Sequence, residues 1–80
     1  MSNYIIYIDN YTIFGGDYMQ FNENLRKIRK KNGITQEQLA EKLNVSRQAV
    51  TKWESGKSLP NINSFKEIAS IFDVTMEELL

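Results

Sequence analysis

Residues 21–80 predict an all-α domain of five short helices, and three observations carry that expectation. Apolar residues recur at spacings of three and four, the period of one helix face. Most periodic runs open on a residue able to cap a helix, and several close on Gly or Asn. The stretches between runs are short, so neighbouring helices must pack on one another.

The first helix is "FNENLRKIRKKNG". Asn22 is expected to cap it, Phe21, Leu25 and Ile28 form its apolar stripe, and Gly33 ends it. In the second, "TQEQLAEKLN", Thr35 and Gln38 have the spacing of a capping box, and Leu39, Ala40 and Leu43 face inward. Asn44 stops this helix, because Asn tolerates a left-handed backbone better than most residues. Val45 sits in the turn, and Ser46 caps a third helix running to about Ser55 and closed by Gly56. "KSLPNIN" is a loop, since Pro60 cannot continue a helix and the residue before it leans extended. "NSFKEIASIFD" is a fourth helix with Phe65, Ile68, Ala69 and Phe72 inward. "TMEELL" begins a fifth, with Thr75 and Glu78 as its capping box.

Residues 1–20 form an N-terminal extension of another kind. "YIIYIDNYTIFGG" is rich in Tyr and Ile and places Asp9-Asn10 between two apolar runs. Propensity reads this as a β-hairpin with strands near Tyr4–Ile8 and Tyr11–Phe14. Such a hairpin is marginal alone. A second reading rests on coding: Gly-Gly-Asp-Tyr-Met can be encoded by a ribosome-binding sequence followed by a start codon. Met19 would then be the initiator, and residues 1–18 a translated leader. Neither reading gives the segment a function.

Composition narrows the function. The 80 residues contain no Cys and no His, so there is no disulfide framework, no thiolate and no imidazole base or metal ligand. No nucleophile–base pair or metal-ligand cluster stands out. An enzyme is not expected, nor a cofactor or metal. No apolar run approaches the roughly 20 residues that cross a bilayer. The start, MSNYIIYIDN, has no Lys or Arg and so lacks the basic opening of a secretory signal. A soluble cytoplasmic protein without a membrane partner is expected.

The net charge is zero, but the charges are not evenly spread. Between Arg26 and Lys57 stand nine basic residues and three acids, a local excess of six positive charges. After Lys66 come Glu67, Asp73, Glu77 and Glu78. A neutral chain with a positive middle points to a polyanion partner, although a run such as Arg26–Lys31 also suits a plain solvated helix face.

"VSRQAVTKWESGK" decides between these. As a helix from Ser46, it puts Arg47, Gln48, Thr51, Lys52 and Ser55 on one face and Val50 and Trp53 on the other. Two helices joined by the short turn at Asn44-Val45 make a helix-turn-helix, which places its second helix in the DNA major groove. There Arg can bond a guanine edge with two hydrogens, and Gln can do the same for adenine. Arg47 and Gln48, at the start of the helix, are candidate base readers, with Thr51 and Lys52 one turn on. Gln36, Ser46, Ser55 and Lys57 are candidate phosphate contacts. Trp53 could stack a base, but its face is the buried one. Arg29 is turned toward the third helix, where Glu54 could pair with it and orient the recognition helix.

The stretch "LRKIRKKNGI" followed by "TQEQLAEKLNVSRQAVTKWESGKSLPNINSFKEIASIFDVTMEELL" resembles the DNA-binding domain of Cro/cI-type (XRE family) bacterial and phage repressors, a lambda-repressor-like fold. The resemblance covers about residues 21–80. It implies phosphate contacts at Gln36, Ser46 and Lys57, base contacts at Arg47, Gln48, Thr51 and Lys52, and an Arg29–Glu54 ion pair. It also implies a transcriptional regulator, expected to be a repressor, bound to a double-stranded DNA operator as a homodimer, with Met76, Leu79 and Leu80 beginning the dimer helix. Two departures stand out: Asn44 replaces the Gly often found at the turn, and residues 1–18 match nothing in the family. The alternative is an antitoxin-like or other protein-interaction module in which residues 4–14 add a strand to a partner.

Overall fold

The computed structural model describes the backbone of Ile5–Ile8, Tyr11–Phe14 and residues 17–80, and side chains from Gln20 onward. Strands β1 (Ile5–Ile8) and β2 (Tyr11–Phe14) pair antiparallel, with Ile5 opposite Phe14 and Ile8 opposite Tyr11. The Asp9-Asn10 turn expected from sequence lies outside the described residues.

Five helices follow: α1 (Asp17–Lys31), α2 (Gln36–Leu43), α3 (Arg47–Glu54), α4 (Ile62–Phe72) and α5 (Met76–Leu79). Their apolar faces meet in one core of Phe21, Leu25, Leu39, Ala40, Leu43, Val50, Trp53, Ile68, Ala69 and Leu79. Phe65 is only partly buried, but its ring stacks on Phe21 at a centroid distance of 5.2 Å.

The expected start of α1 is corrected. The helix begins at Asp17, so Asn22 lies inside it and is buried rather than capping it. Its Nδ2 donates instead to the carbonyl of Glu54 at 3.1 Å, one of the last carbonyls of α3, which has no partner inside its own helix. Along α1 the inward stripe runs Phe21, Leu25, Arg29, each one helical step of four further on. An apolar stripe that ends in an arginine must supply it with an anion, and Glu54 is that anion.

Caps fall where sequence chemistry put them elsewhere. Thr35 and Thr75 form complete capping boxes with Gln38 and Glu78, and the Ser46 hydroxyl accepts from the Ala49 amide at 3.1 Å. The loop ends two residues sooner than expected, at Asn61, which caps α4 through its bond from Ser64 N–H.

Four helix ends close identically. Gly33, Asn44, Gly56 and Asp73 adopt positive φ between 54° and 79°. At each, the next residue's amide reaches back five residues: Ile34 to Arg29, Val45 to Ala40, Lys57 to Lys52 and Val74 to Ala69. Three of those next residues, Ile34, Val45 and Val74, are apolar and pack on the core. Lys57 is the exception and is exposed.

Met76, Leu79 and Leu80, expected to begin the dimer helix, differ in exposure. Leu79 is 1% exposed and belongs to the core, and Met76 packs against it, leaving only Leu80 of the three exposed.

Candidate nucleic-acid interface

Three residues, Asn44, Val45 and Ser46, separate α2 from α3. Asn44 makes the left-handed turn, Val45 pins it to the core and Ser46 restarts the helix. The orientation of α3 then follows from what it buries, namely Val50, Trp53 and Glu54. The opposite face carries Arg47, Gln48, Thr51, Lys52 and Ser55, all exposed, and these five line one open groove with Lys57. Among the described residues, no acidic side chain lines it. Every residue expected on this face from the sequence is therefore brought together there.

Gln36, at the start of α2, is half-buried rather than projecting freely. It lines an adjoining depression with Lys30, Thr35 and Arg47. Ser46 is exposed at the N-terminus of α3, its oxygen already taken by the cap. Ser55 is exposed too, but its hydroxyl donates to the Lys52 carbonyl at 3.1 Å. A bond from Ser55 to phosphate would require giving that up.

Behind the groove runs a chain of polar contacts. Arg29 donates to Glu54 twice, Nε to Oε2 at 2.6 Å and Nη2 to Oε1 at 2.9 Å, and a third time to the Ile34 carbonyl at 2.9 Å. Both partners are nearly enclosed, at 8% and 4% exposure, so the forked geometry is protected from water. The hydrogen bonds to Glu54 raise the Arg29 pKa above its ordinary value, burial works against this, and the Glu54 charge adds to the rise. The pair expected from sequence is thus present.

Gln36 extends this pair to the exposed face. Its Nε2 donates to Glu54 Oε1 at 3.1 Å, and its Oε1 accepts from the Thr51 hydroxyl at 3.0 Å. The carboxylate can only accept, which decides which end of the Gln36 amide faces inward. Arg29, Glu54, Gln36 and Thr51 therefore form one connected set from α1 through α2 to the outer face of α3.

Sequence reasoning missed two features. Asn22 is a polar residue inside a helix, and nothing in its neighbours in sequence signals a bond to Glu54. Arg26 and Lys30, four apart on α1, border a depression with Gln36, Thr51 and Ser55, which extends positive charge past the edge of α3. Their spacing was legible as a basic helix face, but its proximity to α3 was not.

A short turn holding an exposed, basic second helix over a buried anchor defines a helix-turn-helix DNA-binding module of the kind that regulates transcription. Residues 25–79 match the family HTH_3, helix-turn-helix, and the chain belongs to it. Over 62 residues it is 56% identical to the HTH-type transcriptional activator BcrR of Enterococcus faecalis, covering 78% of this chain and 30% of that protein. It is 33% identical over 61 residues to the cryptic phage CTXphi transcriptional repressor RstR of Vibrio cholerae, covering 76% of this chain and 54% of that one. The chain thus spans from under a third to about half the length of these relatives. Among solved structures, the restriction-modification controller protein C.AhdI of Aeromonas hydrophila superposes with a TM-score of 0.73 at 28% identity, covering 81% of this chain and 98% of that one. The SOS-response repressor LexA of Eubacterium rectale superposes with a TM-score of 0.75 at 27% identity, covering 79% and 67%.

Proposed function

We propose that this chain reads a double-stranded DNA operator with the exposed face of α3, as a transcriptional regulator bound to two half-sites as a homodimer. One observation carries this: among the described residues, six polar or cationic side chains and no acid line a single groove over α3, whose opposite face is locked into the core. Arg47 and Gln48, at the entering end of the helix, read base edges, with Thr51 and Lys52 one turn along. Gln36, Ser46 and Lys57 hold phosphates on either side, and Ser55 joins them only if its hydroxyl leaves the Lys52 carbonyl. Arg26 and Lys30 add positive field along one flank.

The chain binds rather than reacts, and acts in the cytoplasm, where its operator would be. Residues 21–80 carry the DNA binding, and the extension before them is dispensable for it. An interaction module built on residues 4–14 is not favoured, because the family match lies wholly within residues 25–79. Repression is the expected sign, although the relatives include an activator as well as a repressor. The sign would follow from where the operator lies in its promoter.

Selection from a randomised duplex library at stated salt tests the reading. The expected result is an enriched two-fold motif whose half-sites lie roughly 34 Å apart. A pool with no enrichment, retaining only salt-sensitive bulk binding, would overturn it.

A further inference from the structure

We propose that Thr51 meets DNA as a hydrogen-bond acceptor and a methyl group, never as a donor, so that the base facing it is adenine, cytosine or thymine and guanine is excluded. The inference rests on the reading of α3 as the base-reading helix and adds the base class that one of its side chains selects.

It follows from locating each proton in the set behind the groove. Arg29 can only donate, and it fills Glu54 from one side with two bonds. The Glu54 carboxylate can only accept, so the group that Gln36 turns toward it at 3.1 Å is the amide NH₂. Gln36 then presents its oxygen to Thr51, and that oxygen has no proton to give. Between Thr51 Oγ1 and Gln36 Oε1, 3.0 Å apart, the proton must come from Thr51. The other atom within reach of the hydroxyl is the Arg47 carbonyl oxygen at 3.1 Å, also an acceptor.

Thr51 has one hydroxyl proton and two protein oxygens competing for it. Turning that proton to a base would leave Oγ1 facing two other oxygens at close range with no hydrogen between them. Swinging the whole side chain away is also restricted, because a β-branched residue in a helix has few χ1 states, and back-bonding to the carbonyl four residues earlier selects among them. What the exposed side of Thr51 offers is therefore lone pairs and a methyl group.

The major groove sorts bases on that basis. Adenine N6 and cytosine N4 carry amino protons that an acceptor can take, and thymine carries a methyl that packs against another methyl. Guanine shows only the acceptors N7 and O6. Facing guanine, Thr51 would set acceptor against acceptor, with no proton on either side to form the bond.

The test is library selection with the full chain as wild type, Thr51→Val and Thr51→Ser, each checked for folding by its thermal unfolding midpoint. Thr51 is exposed, so all three are expected to fold. In the wild type, one position per half-site should be depleted of guanine. Thr51→Val keeps the methyl and replaces the acceptor with a second methyl, so at that position adenine and cytosine should fall about fivefold relative to thymine. Thr51→Ser should do the reverse, keeping adenine and cytosine and losing thymine. Guanine enriched at a position in the wild type and lost in Thr51→Val would show that the hydroxyl donates, and would overturn the proposal. Identical motifs from all three proteins would overturn it as well, by showing that Thr51 reads no base. No motif even in the wild type would remove the DNA reading itself, and this inference with it.

Discussion

Lys57 occupies the position after a left-handed helix end where Ile34, Val45 and Val74 each anchor an apolar side chain to the core. At this end the anchor is replaced by a charge, and the charge borders the groove over α3. The phosphate contact proposed for Lys57 would account for the exchange, since a lysine reaching the backbone gives affinity without sequence choice. Lys57→Ala is expected to weaken binding to all duplexes about equally and to lower the salt slope by about one, measured by titrations at several salt concentrations. Arg47→Ala should behave differently, costing roughly 1–3 kcal/mol and relaxing the preference at one base position. An unchanged ranking of operator variants would remove Arg47 from the base contacts.

At the level of elements, α3 is held from behind by a buried ion pair and an asparagine. Arg29→Met would strand the Glu54 carboxylate and should cost about 3–5 kcal/mol of stability by denaturant titration. The double variant Arg29→Met/Glu54→Leu should recover most of that, because an apolar pair avoids the desolvation of two charges. It should not recover base selectivity, since Gln36 then loses the carboxylate that orients it. Survival of selectivity in the double variant would mean that the pair serves stability alone. The turn between α2 and α3 makes a separate demand. Asn44 sits at φ 56°, so Asn44→Ala should destabilise by about 1–2 kcal/mol, whereas Asn44→Gly should be tolerated.

For the whole molecule, Leu79 joins the last helix to the core, where Phe21 and Leu25 of α1 also lie. Asn24 Nδ2 reinforces the junction by donating to the Leu79 carbonyl at 3.1 Å. Leu79→Ala should therefore cost about 2–5 kcal/mol in monomer stability, followed by thermal unfolding at several protein concentrations. If instead the loss scaled with protein concentration, as dimer dissociation would, Leu79 would belong to a dimer contact.

Much of this was legible in the chain. The capping boxes at Thr35 and Thr75, the glycine and asparagine stops and the face of α3 are local, set by spacing and backbone sterics within a few residues. The Arg29–Glu54 pair was legible from the flank of the first helix that Arg29 turns toward the third, and from the family resemblance; that Arg29 continues the buried stripe of Phe21 and Leu25 emerged only from the packing. Asn22 misled because a residue type that caps helices was read by type, and what placed it inside α1 lies upstream and across the core. The burial of Leu79 was not legible for a similar reason: an apolar residue late in the chain suits a core and an interface equally, and only packing separates them.

Periodicity, caps and turn chemistry by themselves determined five helices, the turn between α2 and α3 and which side chains share the outer face, because each depends on neighbours within about one helical turn. Only the tertiary structure decided where each proton lies behind that face. Residues 29, 36, 51 and 54 become one hydrogen-bonded set when α1, α2 and α3 converge. Donor and acceptor are then assigned by contacts across helices, and these leave no trace in the order of the residues.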